Sequence, residues 1–229
     1  MIIKAILTDI EGTTTDIDFV HKVLFPYAYA RLPDYLRTHA DDAAVQAILA
    51  DARTELGQPG ADLEMLIAAF LGWIDQDKKV TALKNLQGLI WVDGYEQQDF
   101  TGHLYSDAQH CLQQWQQQGL ALYVFSSGSV KAQKLLFGFS DFGDLTPLFS
   151  GYYDTTSGHK REAVAYRTIA DSIGLPAGDI LFLSDVVEEL DAAREAGMAT
   201  TLLARGELPA ECSHPVASDF HQVRLMAEK

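Results

Sequence analysis

The chain opens on an apolar run, Ile2-Ile3-Lys4-Ala5-Ile6-Leu7, that stops abruptly at Thr8-Asp9-Ile10-Glu11-Gly12-Thr13-Thr14. A short apolar run closed by polar and turn-forming residues predicts a buried strand opening into a loop. From Asp18 to about Phe100 the periodicity is helical, with almost no strand signal. The apolar and aromatic stretch Phe19 to Leu36 is punctuated by Pro26 and Pro33, which predicts a broken or kinked helix. Asp41 or Asp42 caps the next helix, in which Val45, Ile48, Leu49, Ala52 and Leu56 recur at helical spacing until Gly57 and Pro59 stop it. Asp62 starts another, through Leu63, Leu66, Ile67, Phe70, Leu71 and Ile74. The stretch reads as a small helical bundle inserted directly after the first strand.

Near Ser106 the pattern changes. Ala108, Cys111, Leu112 and Trp115 form an amphipathic helix ended by Gly119, and Leu120 to Phe125 is a buried strand closing in Ser126-Ser127-Gly128-Ser129. A short helix, Val130 to Phe137, carries Lys131 and Lys134 outward, and Phe149 to Tyr153 is a further short strand. Lys160 stands at the mouth of a helix running to Ile173, with Gly174 after its end. Ile180 to Leu183 is the next strand; Ser184-Asp185-Val186-Val187-Glu188-Glu189 follows, then a helix to Gly197 and the strand Ala199 to Leu203. The tail from Arg205 reads as loop. Strands alternating with helices imply an α/β fold, a doubly wound parallel sheet covered on both faces, with residues 1–16 and 101–229 as the core and 17–100 as the helical insert.

Length and composition narrow the reading. At 229 residues and 48% hydrophobic, the chain can bury one large core or a core with a smaller attachment. The opening run contains Lys4 and is too short for a secretory segment, and nothing later approaches a membrane span. Cys111 and Cys212 lie far apart without metal-site or disulfide-framework spacing, so a reduced, cytoplasmic protein is expected. A net charge of −15 with no basic run argues against nucleic acid as a partner.

In an open parallel sheet the ligand sits beyond the carboxyl ends of the strands, and the polar clusters fall there: Asp9 and Glu11 after one strand, Ser126 and Ser127 after another, Asp185 after a third, with Lys160 at a helix start. Taken singly, each has an ordinary role: a turn, an N-cap, a solvated lysine, an acidic first helical turn. Taken together they make a phosphate site. Asp9 and Asp185 offer carboxylate oxygens to a hard cation, and magnesium suits so sparse an oxygen set. Ser126, Ser127 and backbone N–H groups would hold phosphate oxygens, with Lys160 as counter-charge. Asp9 is then the candidate nucleophile and Glu11 the candidate acid and base.

Asp9-Ile10-Glu11-Gly12-Thr13 resembles the D-x-D-G-T loop of the haloacid dehalogenase-like phosphatases, with Ser126, Lys160, and Ser184-Asp185 plus Glu189 matching that superfamily's later motifs. The resemblance spans the chain and implies a Rossmann-type core with a helical cap at the insert. The second acid is Glu11, not aspartate. With Phe25-Pro26-Tyr27-Ala28 and Gly158-His159-Lys160, this departure is similar to the enolase-phosphatases of methionine salvage. That resemblance implies a monomeric, magnesium-dependent enzyme that enolises a phosphorylated diketone, the diketo-methylthiopentyl phosphate, and dephosphorylates the enol to the acireductone. It also implies magnesium held by Asp9, Glu11 and Asp185, and substrate held by Ser126, Ser127 and Lys160. The alternatives are a phosphatase of the same fold acting on another small ester, and a non-catalytic phosphate-binding protein. The enolisation base stays open among Glu11, His21, Lys22, Tyr27 and Trp91.

Overall fold

The structure, a computed structural model, describes residues 3–206 and 212–225. It divides into two compact units, residues 1–17 with 101–229, and residues 18–100.

The larger unit is built on six parallel strands: β1 (Ala5–Thr8), β2 (Ala121–Phe125), β3 (Gly151–Tyr153), β4 (Ile180–Ser184), β5 (Ala199–Leu203) and β6 (Val216–Ala217), in the order β3-β2-β1-β4-β5-β6. The expected run from Ile2 begins outside the described residues, and the paired strand starts at Ala5. Successive side chains of a strand point to opposite faces. Ala5 and Leu7 accordingly join Ile180, Phe182 and Leu202 on one face. There they pack against Tyr166 and Ile169 of α8 (Ala163–Ile173) and Leu190 of α9 (Val187–Glu195). Ile6 joins Leu122, Leu181 and Leu203 on the other face, against Leu112 and Trp115 of α6 (Ser106–Gln117). The tail was expected to be loop. Instead it adds the short edge strand β6, paired with β5, and a 3₁₀ turn at Phe220–Gln222 whose Phe220 stacks on Trp115 with ring centroids 5.6 Å apart. Two residues of strand are too few to show as periodicity.

The smaller unit is a bundle. A helical run begins with α1 (Ile17–Phe19), passes through a π turn (Val20–Leu24) and continues as α2 (Phe25–His39). Pro33 lies inside α2 without ending it. The irregularity falls ahead of Pro26 instead, where the Phe25 N–H donates to the Val20 carbonyl five residues back and Pro26 has no N–H to offer. α3 (Ala43–Leu56) stops at left-handed Gly57, and α4 (Leu63–Asp75) is capped by the Asp62 carboxylate, which accepts from the Met65 N–H at 2.9 Å. Asp42 occupies the N-cap position of α3, but its carboxylate pairs with His39 at 2.8 Å rather than capping. α5 (Thr81–Glu96) had no separate expectation; its stripe is interrupted by Gly88 and Gly94. Gly94 is there for space, since a Cβ would lie 2.4 Å from the Phe100 ring. Leu32, Leu49, Leu66, Phe70, Leu86 and Ile90 form the bundle's core.

Phe182 is fully buried in β4, edge-on to Tyr166 at 5.0 Å. Phe182→Ala is expected to lower unfolding free energy by about 3–5 kcal/mol in a urea titration, the range for opening a core cavity of that size.

Candidate active site

The loop after β1 is shaped by its own backbone. The Asp9 N–H donates to the Leu183 carbonyl at 2.9 Å, and the Ile10 carbonyl gathers the N–H groups of Thr13, Thr14 and Thr15 at 2.9–3.1 Å. The hydroxyls of Thr8 and Thr14 donate to the Asp9 carbonyl at 3.0 and 3.2 Å. Thr8 lies opposite Val124 of β2 and Leu183 of β4, so Asp9, Ser126 and Asp185 leave three adjacent strands within a residue of the same level. Strand order reverses at β1, which makes this the switch point where open α/β sheets place their ligands.

Gly12 has φ +76°, and a Cβ there would stand 2.1 Å from Asp185 Oδ2, so glycine is required both for backbone conformation and for close approach. Next to it, Thr13 Oγ1 accepts from the Asp185 N–H at 3.0 Å and lies 3.5 Å from Asp185 Oδ1. The loops after β1 and β4 are thereby locked to one another.

Lys160 is at the centre. Its side chain is 7% exposed, and Nζ donates to Asp9 Oδ1 at 2.6 Å while pairing with Glu189 Oε2 at 2.6 Å. Ser184 Oγ donates to the same Glu189 oxygen at 3.0 Å, and the Tyr166 hydroxyl fixes the Lys160 carbonyl at 2.7 Å. The lysine was expected at the mouth of a helix. It sits instead in the turn before α8, which begins at Ala163, and its partners are carboxylates on two other elements. Burial alone would lower the lysine's pKa, but Asp9 and Glu189 more than offset this and hold it raised.

The carboxylates show the opposite strain. Burial first, then the charge of Asp9, pushes Glu11 up to about 7, against the pull of Lys160. The Asp185 side chain is open at the rim yet crowded by the two loops; desolvation, then Asp9, raises it to about 6. Glu189 is raised for the same two reasons in the same order. A single buried lysine does not neutralise this group. Ser126 is 1% exposed at the end of β2, where its Oγ accepts from the Gly128 N–H at 3.0 Å, and Ser127 beside it is exposed. A separate cavity of about 430 Å³, lined by Val130, Lys134, Phe149 and Tyr152 among others, contains none of these carboxylates. What marks the candidate site is the convergence of charged groups.

The sequence profile of the haloacid dehalogenase-like hydrolases matches residues 3–197. A protein of Serratia proteamaculans named enolase-phosphatase E1 is 59% identical over 97% of both chains. One of the same name from Methylococcus capsulatus is 56% identical over 97% of this chain and 98% of its own. The chain belongs to the enolase-phosphatase E1 family of haloacid dehalogenase-like hydrolases. Among solved structures, the UTR4 protein of Saccharomyces cerevisiae has 35% identity and a TM-score of 0.81, covering 96% of this chain and 100% of that one. The CbbY protein of Rhodobacter sphaeroides, at 19% identity and a TM-score of 0.61, covering 97% of this chain and 96% of its own, shares the fold alone.

In this enolase-phosphatase E1 chain the donor set fits a hard cation. Among the described residues no three His, Cys, Asp or Glu side chains are spaced to hold a metal ion unaided. Magnesium, however, keeps several waters and needs only one or two protein carboxylates. Asp9 and Asp185 are oxygen donors at neighbouring strand ends, and a divalent charge beside them would offset both the desolvation that chiefly raises Glu11 and Asp185 and the added charge of Asp9.

The candidates for the enolisation base in the helical unit have other engagements. Trp91 Nε1–H donates to the Leu24 carbonyl at 2.9 Å, and Lys22 pairs with Asp18 at 2.6 Å. Tyr27 donates to Asp99 at 2.7 Å, and burial together with that bond pushes its pKa up to about 12, which makes it a poor base. His21 stands edge-on to Phe25 at 5.7 Å.

Sequence reasoning did not find Arg205 and Asp107. The Arg205 guanidinium lies 3.7 Å from the centroid of the Tyr105 ring, forks onto Asp107 at 2.9 and 3.1 Å, and donates from Nε to the Thr13 carbonyl at 2.8 Å. Asp107 reads as an ordinary acid in the first turn of a helix, and no spacing links it to residue 205. Burial works to raise the Asp107 pKa, but the bonds from Arg205 and the Phe220 N–H outweigh it, leaving the group below its ordinary 3.8. A depressed carboxylate pKa contributes stability above the unfolded value that is lost as pH falls through the folded one. Arg205→Ala is therefore expected to cost about 3 kcal/mol at neutral pH. The gap between the stability curves of variant and parent, followed by urea titration, should narrow as pH falls below 3.8 through the still lower folded value of Asp107.

Proposed function

We propose that this chain is a bifunctional enolase-phosphatase. It takes the phosphorylated diketone 2,3-diketo-5-methylthiopentyl-1-phosphate, enolises it, and removes its phosphate to yield the acireductone of methionine salvage. The observation that carries this reading is the buried Asp9 carboxylate held at 2.6 Å by Lys160, within a crowd of raised carboxylates at the switch point of the sheet. The names of the relatives point to the same activity.

Asp9 is the nucleophile. With Oδ1 on Lys160, attack on phosphorus comes from Oδ2 and yields an aspartyl phosphate as the enol oxygen leaves. Glu11, raised to about 7, gives its proton to that oxygen and then takes one from the water that hydrolyses the acyl phosphate. Ser126, Ser127 and nearby backbone N–H groups hold phosphate oxygens, and Lys160 supplies positive charge. Asp9 and Asp185 through their carboxylates, and Glu11 through its backbone carbonyl, would hold magnesium, which would supply positive charge to the phosphate and to the carbonyl that is enolised. Enolisation moves a proton from the carbon beside a carbonyl to that carbonyl's oxygen, and Glu11, raised to about 7, takes it from the carbon as carboxylate and delivers it to the oxygen as carboxylic acid. Residues 1–16 with 101–229 are the catalytic core and 17–100 the cap, in an enzyme that works as a cytoplasmic monomer.

Asp9→Asn is expected to fold normally and to lose phosphate release by at least about a thousandfold, because an amide cannot form the acyl phosphate. Ultraviolet absorbance would show the enol accumulating in that variant if the two half-reactions separate. Phosphate release equal to the parent's would remove the nucleophile assignment. Chelation should abolish turnover and added magnesium restore it, and activity that survives thorough chelation would count against the metal.

A further inference from the structure

We propose that Gln133 is a positioning residue for anion binding, acting by turning the Gly128 carbonyl away from the bound phosphate. The proposal rests on the reading of Ser126 and Ser127 as the phosphate-holding loop. Gln133 lies one turn into α7 (Val130–Gly138), on the buried face shared with Leu136 and Phe137, and is 2% exposed. Its Nε2 donates to the Gly128 carbonyl at 2.8 Å and to the Tyr153 carbonyl at 2.8 Å. Two carbonyl acceptors settle which end of the amide is nitrogen, since the flipped amide would set oxygen against oxygen twice. Oε1 is left buried and accepts no hydrogen bond from the described residues.

A buried acceptor without a partner is unfavourable and needs a reason. Leucine or methionine would fill the same space on α7 without stranding an oxygen. What they would not do is hold the Gly128 carbonyl. In a planar trans peptide the carbonyl of one residue and the N–H of the next point in opposite directions. Drawing the Gly128 oxygen inward to Gln133 therefore directs the Ser129 N–H to the side away from Gln133. It also removes a partial negative charge from the surface an anion approaches. Other bonds also hold this loop, among them Gly128 N–H on Ser126 Oγ at 3.0 Å, Val130 N–H on Asp154 Oδ2 at 3.2 Å, Ser126 N–H on the Tyr153 carbonyl at 3.2 Å and Ala132 N–H on Ser129 Oγ at 3.3 Å. Gln133 bonds to both the loop after β2 and the end of β3 through one side-chain atom.

The test is titration of inorganic phosphate, in the presence of magnesium, into the full chain and three variants, Gln133→Met, Gln133→Glu and Ser126→Ala, with melting temperature recorded for each. Gln133→Met keeps the shape and removes both donors and the stranded oxygen. It is expected to weaken phosphate binding about tenfold, the worth of one hydrogen bond at the loop, with a melting temperature close to the parent's. Gln133→Glu should show the same loss at neutral pH and regain affinity on acidification relative to the parent, as the protonated acid recovers one donor. Parent-like affinity in Gln133→Met and Gln133→Glu, alongside a loss in Ser126→Ala, overturns the role of Gln133 and leaves the loop reading standing. Parent-like affinity in Ser126→Ala overturns the loop reading and the proposal with it. Affinity that falls in both Gln133 variants only in step with the folded fraction marks a purely structural residue and also overturns it.

Discussion

The ion-paired Lys160 is the constraint on which the rest of the site depends. A parallel sheet whose strand order reverses at β1 brings Asp9 and Asp185 to adjacent strand ends, and the loops add Glu11 and Glu189 to the same few ångströms. Burial first and then the charge of Asp9 raise Glu11, Asp185 and Glu189 above the ordinary carboxylate range. One lysine, held at 2.6 Å from two of these carboxylates, keeps the arrangement tolerable without neutralising it. The residual negative charge is what the proposed divalent cation would meet, and through it an anionic ester.

Around this charge cluster the loops are held by short-range bonds that tie one strand end to the next. Thr13 receives the Asp185 N–H, and its own carbonyl receives Arg205, which in turn is forked onto Asp107 and stacked on Tyr105. Gly12 takes the left-handed turn of the first acidic loop and leaves room beside it for the Asp185 carboxylate as it stands. Buried groups of this kind preorganise a site because each has a single arrangement that satisfies its hydrogen bonds. The helical unit has a separate organisation: its own apolar core, a π turn ahead of Pro26, and an indole N–H that closes on the Leu24 carbonyl.

The alternation of strands and helices up to β5, the helical nature of residues 18–100 and the polar residues that follow β1, β2 and β4 were legible in the sequence. Burial along a strand or helix repeats with the element's own period, so local order determines it. Asp9, Ser126 and Asp185 follow apolar runs directly, and chain order alone marks them. The contacts that make them a site are of another kind. Lys160 meets Asp9 across 151 positions and Arg205 meets Thr13 across 192. Gln133 lies on a face that periodicity assigns to packing, yet its amide is spent on two carbonyls. The edge strand β6 is two residues long, and the apolar stripe of α5 is interrupted by Gly88 and by Gly94, which makes room for the Phe100 ring. The sequence by itself determined which residues would stand at strand ends. Only the tertiary structure decided which of them would share a proton, a charge or a carbonyl, because strand order and helix docking select partners that no sequence period connects.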